Sequence, residues 1–304
     1  MTAEIRERSA QVGEATFGLL ECGPADGPLV ICLHGFPDTA WSWRHLLPEL
    51  ADAGFRGVAP YLRGYAPTSL SPDGRYPLAR LVKDVILLHD HFGAPPGASL
   101  VGHDWGAAVS YGAAALAPER FRRVVGMAVP PAAAFVQGLL RFEQLRRSFY
   151  VFFFQTAFAE GVVAADGMAF LERLWDAWSP GYDATEDLER VRTSLGTPKN
   201  LAAAIGYYRA MFDFGAPSEG LEAEVAASLA AVTQPTLYLH GRRDGCVGVD
   251  TIEDPGVMAT LSGLLGPGSE VAVIDEGGHF LHLEVPEVVN PRVLDWLRDG
   301  GGAS

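Results

Sequence analysis

The chain has 304 residues, 48% of them hydrophobic and 20% charged, and a formal net charge of −14. That length suits one large α/β domain with room for an inserted subdomain. The acidic balance argues against a nucleic-acid partner or an anionic membrane surface, both of which call for basic patches, and no apolar run approaches the roughly 20 residues of a membrane span.

The opening MTAEIRERSAQVGE is polar and has no apolar signal core. Cys22, Cys32 and Cys246 show no CxxC spacing. They read as small buried hydrophobes in a reducing compartment, not as a disulfide framework or a zinc cluster. A cytoplasmic protein is the expectation.

Short apolar, β-branched runs recur along the chain. ATFGLLE (15–21), PLVICLH (28–34), FRGVAP (55–60), ASLVGH (98–103), RRVVGMAV (122–129), PTLYLHG (235–241) and SEVAVID (269–275) read as strands. Helical patterns such as LARLVKDVILLHDHF (78–92) and AAVSYGAAALA (107–117) lie between several of them. The alternation predicts an α/β fold with a mostly parallel sheet and helices on both faces. The first two runs have no helix between them, so the sheet is expected to start antiparallel. From 130 to 232 the rhythm stops. RRSFYVFFFQTAFAEGV, MAFLERLWDAWS and NLAAAIGYYRAMFDF are helical and aromatic-rich, and no strand stands out. We read 130–232 as a helical lid inserted between core segments 1–129 and 233–304.

Three carboxyl-end turns carry the chemistry. SLVGHDWGAAVSYG sets Asp104 between Gly102 and Gly106 at a strand-to-helix turn. Such a turn lifts its central side chain above the sheet edge where open α/β sheets bind ligands. Alone, Asp104 could equally be a helix N-cap. LHGFP (33–37) can aim the Phe36 backbone N–H at the same point as the Trp105 N–H, which would make an oxyanion hole. GRRDG (241–245) places Asp244 just after a strand, where a carboxylate can hold an imidazole. Asp250 and Asp254 are weaker rivals for that role. GGHFLHLEVP (277–286) places His279 behind two glycines after the last strand, as a candidate general base. His282, three residues on, would face elsewhere and pack. The order Asp104, Asp244, His279 is nucleophile, acid, histidine, the chain order of an α/β-hydrolase triad.

On these motifs the chain resembles the α/β-hydrolase superfamily over nearly its whole length, and GHDWG is similar to the epoxide hydrolases and the haloalkane dehalogenases. Both families use an aspartate nucleophile. Their substrates are attacked at an sp³ carbon, and an aspartate is ordinarily ionised at neutral pH, so it needs no base for that step. The alkyl ester formed on Asp104 would then be hydrolysed by water activated by His279 and Asp244. A serine would leave a stable ether instead.

The leaving group separates the two families. A halide needs N–H donors, from Trp105 and a lid tryptophan such as Trp175 or Trp178, and the dehalogenases commonly carry asparagine where this chain has Phe36. An epoxide oxygen needs a proton. FYVFFFQTAFAE (149–160) is similar to the first lid-tyrosine motif of epoxide hydrolases and implies Tyr150 as a proton donor. YYRAMF (207–212) is similar to the second, in which tyrosine directly precedes arginine, and implies Tyr208, with Tyr207 the fallback. The departure is TAF at 156–158, where the family often has PG after the glutamine. APYLRGYAPTS (59–69) resembles a loop common in bacterial epoxide hydrolases, with Arg63 and Tyr65 pinning it.

The resemblance implies an epoxide hydrolase making a vicinal diol, with no cofactor. His34, His103 and His279 are scattered in sequence and give no metal-ligand pattern. Phe36, Trp105, Phe153 and Phe154 are the expected pocket lining. Phe142, Phe149, Phe152, Trp175 and Phe212 are further candidates, and together they suggest a small hydrophobic epoxide as substrate. The resemblance also admits a homodimer. The alternatives are a haloalkane dehalogenase or a ligand-binding relative that has lost turnover.

Overall fold

A computed structural model describes residues 3–93, 97–213 and 220–298. Its strands are β1 (Arg6–Val12), β2 (Ala15–Cys22), β3 (Leu29–Leu33), β4 (Arg56–Pro60), β5 (Ala98–His103), β6 (Phe121–Met127), β7 (Thr236–Gly241) and β8 (Glu270–Ile274). They form an eight-stranded sheet in the order β1-β2-β4-β3-β5-β6-β7-β8. β2 pairs antiparallel with β1 and β4, and every pair from β3 onward is parallel.

Strands β3 and β5 are buried along their whole length. Parallel strands covered on both faces read as continuous apolar runs, which is why LVICL and ASLVGH are plain in the sequence. β1 is not. Its residues are nearly all exposed, and it is an edge strand held by a full ladder from Arg6–Glu21 to Val12–Ala15. Polar side chains on an edge are how sheets discourage further pairing, so RERSAQV carries no hydrophobic alternation to read.

Helices α1 (Leu46–Asp52), α2 (Leu78–His91) and α3 (Trp105–Leu116) belong to the first half of the sheet layer. Between β6 and β7 run α4 (Ala132–Leu139), α5 (Phe142–Arg147), α6 (Phe149–Phe153), α7 (Ala159–Ala164), α8 (Ala169–Trp178), α9 (Thr185–Ser194), α10 (Pro198–Ala210) and α11 (Glu222–Ser228). After β7 come α12 (Val249–Ile252), α13 (Pro255–Leu264), α14 (Leu281–Glu284) and α15 (Pro286–Arg298). Two of the inserted helices lie against the sheet layers: α11 packs on α2 and α3, and α4 packs on α13.

The inserted helices are fastened to the core through buried polar contacts. Arg44 makes a two-pronged pair with the buried Asp187 of α9 (2.5 and 3.1 Å). The Tyr207 hydroxyl donates to the Arg63 carbonyl (2.6 Å), and Asn200 Nδ2 donates to the Gly64 carbonyl (2.7 Å). Arg63 is itself clamped by both oxygens of Asp84 (2.6 and 2.8 Å), and the Tyr65 ring stands edge-on to His34. The 59–69 loop is therefore the seat on which α10 rests. No helix among the described residues is long and apolar enough to cross a membrane.

Candidate active site

Asp104 sits between β5 and α3 with φ +52° and ψ −119°. A non-glycine residue there is strained, typically by about 1–3 kcal/mol. The strain is tolerated because the neighbours leave no room for another path. A Cβ on Gly106 would come 2.0 Å from the Leu33 carbonyl oxygen, so α3 and β3 touch backbone to backbone beside the turn. The side chain does not cap its helix. Instead Oδ1 accepts the Phe36 backbone N–H at 2.7 Å. Phe36 can reach it because Gly35 has no side chain: a Cβ there would lie 2.3 Å from Oδ1.

His279 enters after β8 and is fully buried. Its backbone N–H is held by the Trp178 carbonyl (3.0 Å). Nδ1 bonds Asp244 Oδ2 at 3.0 Å, and Nε2 faces Asp104 Oδ2 at 3.7 Å. The Asp244 carboxylate is fixed from its other side, where Oδ1 accepts the N–H groups of Cys246 (2.7 Å) and Val247 (2.9 Å). That geometry makes Nδ1 the donor to Asp244 and leaves Nε2 free to take a proton. Burial works to lower the His279 pKa, but Cys246 and the carboxylates of Asp244 and Asp104 outweigh it and hold the imidazole well above its usual range.

The rival carboxylates are engaged elsewhere. Asp250 pairs with Arg147 (2.7 Å), and Asp254 caps α13 through Gly256 and Val257. The His282 ring is stacked on Trp43 and bonded to Ser42 Oγ (2.5 Å), away from Asp104.

Tyr150 on α6 and Tyr208 on α10 meet beside this site, rings 5.5 Å apart and nearly perpendicular. Tyr208 also stands edge-on to Phe36 (5.1 Å) and Trp105 (5.2 Å). The two tyrosine segments are tied together. Gln155 Nε2 donates to the Val151 and Tyr208 carbonyls, and Arg209 reaches the carbonyls of Phe154 and Thr156 and both oxygens of Glu160. Tyr207 is excluded as a donor because its hydroxyl is committed to Arg63. The Tyr208 hydroxyl is buried with no hydrogen-bond partner among the described residues. Burial comes first, with Asp104 among the further causes, in holding both phenols well above their ordinary range, so both keep their protons.

Fewer aromatics gather at the site than the aromatic content of the insertion suggests. Phe36, Phe154 and Tyr208 pack edge to face at 5.1–5.5 Å. Tyr150 and Phe154 share a helix face because they are four residues apart. Phe153 points elsewhere and stacks on Phe170 (5.5 Å). Phe142, Phe149, Phe152 and Phe212 are on the outside, with 77, 51, 41 and 36% of their surface exposed, so they do not line the pocket as expected. The Trp175 N–H is committed to the Pro37 carbonyl (3.0 Å), and its ring lies on Phe280. Trp178 is at the site, edge-on to His279 (5.1 Å) and tilted against Tyr150 (5.0 Å).

Two histidines that look scattered in sequence are neighbours here: the rings of His103 and His279 are 4.8 Å apart. Near the Asp104 turn, Asp38, His103 and His282 bring their polar atoms within 4.8 Å of one another, all buried. Burial, with Asp187 adding to it, raises the Asp38 carboxyl to about 7, and burial lowers both imidazoles well below their usual range. Asp244, Cys246 and His279 form a second such grouping. There the hydrogen bonds described above already engage the carboxylate. Sequence reading took Cys246 for a buried hydrophobe. The thiol is buried, but it stands 3.3 Å from the Tyr150 hydroxyl. Its place two residues after Asp244 was the only available signal.

A sequence profile of the family described as alpha/beta hydrolase fold matches residues 28–286. An epoxide hydrolase from Caballeronia sordidicola is 30% identical, over 98% of this chain and 95% of its own length. Epoxide hydrolase A from Mycobacterium tuberculosis is also 30% identical, over 96% of this chain and 97% of its own. The crystal structure of epoxide hydrolase A from Mycobacterium thermoresistibile, 28% identical, superposes with a TM-score of 0.78 and covers 97% of this chain and 99% of its own.

Proposed function

The chain belongs to the α/β-hydrolase family, as an epoxide hydrolase acting on ether bonds, and from that premise we propose that it opens a hydrophobic epoxide through an alkyl ester on Asp104. The observation that carries this reading is the Asp104 carboxylate, held by the Phe36 N–H on one oxygen and faced by His279 on the other.

Asp104 Oδ2 attacks a ring carbon of the epoxide. The carbon–oxygen bond breaks, and the departing oxygen takes a proton from a lid tyrosine, Tyr150 or Tyr208. The aromatic walls Phe36, Trp105 and Phe154 hold the apolar part of the substrate. In the second half, His279 Nε2 removes a proton from water, and the resulting hydroxide adds to the ester carbonyl. The Phe36 N–H, together with the Trp105 N–H, stabilises the oxyanion that forms. Collapse releases the diol and restores the carboxylate.

The electrostatics suit this order. In the free enzyme, two carboxylates favour the charged imidazole. Esterification removes the charge on Asp104, so the proton affinity of His279 falls at the step where it must act as a base. In this reading, 1–129 and 233–304 supply the triad and 130–232 supplies the tyrosines and closes the cleft.

The test is a mixed panel of aryl and alkyl epoxides and 1-haloalkanes, incubated with the protein and with Asp104→Ala. Diol that disappears in the variant supports the reading. Halide without diol would move the assignment to a dehalogenase and turn attention to Trp178, which stands at the site while the Trp175 N–H is committed to Pro37. A stable complex without either product would indicate a binding protein.

A further inference from the structure

We infer that the Cys246 thiol is a proton relay from His279 to Tyr150, an inference that rests on the epoxide-opening reading above. The reaction itself creates the need for one. Ring opening leaves Tyr150 as a phenolate once its proton has gone to the epoxide oxygen. Ester hydrolysis leaves His279 as an imidazolium holding a proton from water. The cycle closes only when that proton reaches the phenolate.

All three groups are sealed from bulk solvent: Tyr150 is 4% exposed, Cys246 1% and His279 0%. The sulfur is near both of the others. It is 3.3 Å from Tyr150 Oη and within 4.8 Å of a ring nitrogen of His279. It is also fixed in place. The Cys246 N–H is bonded to Asp244, and its carbonyl accepts Gln144 Nε2 (2.7 Å) from the lid helix α5. The other end of that amide accepts the Gly248 N–H (3.0 Å). One buried glutamine thus holds the thiol loop against the lid.

The transfer balances without any other reagent. The S–H proton passes to the phenolate oxygen, and sulfur takes the Nε2 proton of the imidazolium, so that Nδ1 keeps its proton on Asp244. The thiol ends as it began, His279 is neutral, and Tyr150 is again a phenol. Burial raises the thiol and the neighbouring imidazole pulls it down. A thiol is also a weak hydrogen-bond acceptor, so it keeps Tyr150 aimed without competing strongly for the proton the epoxide needs. Cys246 also acts on the Tyr208 phenol, but the hydrogen bond of its sulfur is to Tyr150, and the relay therefore serves Tyr150.

The experiment compares Cys246→Ala and Cys246→Ser with the wild type, using an epoxide from the panel. Rapid quenching and intact mass follow ester formation on Asp104, and steady-state diol release follows the full cycle. The relay predicts that in Cys246→Ala the first ester forms at the wild-type rate while kcat falls about a hundredfold, the scale of one proton-transfer group. Cys246→Ser restores part of kcat, because a hydroxyl can pass a proton from the same place. Two results would overturn the inference. One is an unchanged kcat in Cys246→Ala. The other is ester formation slowed as much as kcat, which would mean that the thiol only supports the fold around Asp244. If the wild type makes no diol from any epoxide, the epoxide reading falls and the relay falls with it.

Discussion

His279 Nε2 stands 3.7 Å from Asp104 Oδ2, while Nδ1 across the ring is 3.0 Å from Asp244 Oδ2. The imidazole therefore bridges two carboxylates, bonded to one and merely facing the other. Bonding to Asp244 fixes the tautomer, and the longer gap leaves Nε2 free for a water in the proposed Asp104 ester.

That division of labour makes the two half-reactions separable. His279→Gln should still be alkylated by an epoxide and should fail to release diol. Intact mass should show an adduct of one substrate, and kcat should fall about 10²–10⁴-fold. Normal diol release by the variant would mean that another group activates water.

The facing carboxylates also set the titration of His279. Followed by NMR of the imidazole protons, the wild-type ring should titrate above the ordinary histidine value, and Asp104→Asn should bring it down. The folded value lies above the unfolded one. The interaction therefore stabilises the fold fully below about pH 6.5, and that contribution is lost as pH rises through the raised value. Equal titration in wild type and variant would rule out the Asp104 contribution.

The lid tyrosines should act before the histidine does. Replacing both Tyr150 and Tyr208 with Phe should suppress ester formation itself by about 10²–10⁴-fold, with no adduct accumulating. Tyr207→Phe, whose hydroxyl serves the Arg63 carbonyl, should instead lower stability by about 1 kcal/mol and leave ring opening intact. Diol formation by the double variant would mean that the oxygen is protonated by some other group.

Gly35 gives a test of nucleophile placement that replaces no ionisable group. Its Cβ would come 2.3 Å from Asp104 Oδ1 and 2.4 Å from Asp104 Cβ. Gly35→Ala should keep the fold, measured by thermal melting, and push the carboxylate off its donor. A displacement of about 1 Å costs on the order of 10²-fold in rate. Full activity in a folded Gly35→Ala protein would mean that the Phe36 contact does not position the nucleophile.

The sequence by itself determined the parts of this protein that depend on near neighbours in the chain. The buried parallel strands announce themselves because both of their faces are apolar. Asp104 and Asp244 stand out because each follows such a strand, and His279 because it follows the last strand behind two glycines; the order of the three is a property of the chain alone. The motif around Tyr150 and Gln155 was legible only through its resemblance to the epoxide hydrolases; in the fold the amide closes the end of its own helix at Val151.

What remained was decided only by tertiary structure, because it depends on atoms far apart in the chain. Edge strand β1 owes its existence to the β2 ladder, not to any apolar pattern. Tyr208 is separated from Tyr207 by a bond from the latter to Arg63, 144 residues away. The outward turn of Phe142, Phe149, Phe152 and Phe212 follows from helix geometry and docking, since each is as apolar as the residues that face the cleft. The thiol of Cys246 meets the Tyr150 hydroxyl across 96 residues of sequence. A short turn constrains its own residues through sterics that any reader of the chain can apply. A meeting between core and lid is set by how two packed layers happen to seat, and only the folded molecule contains that information.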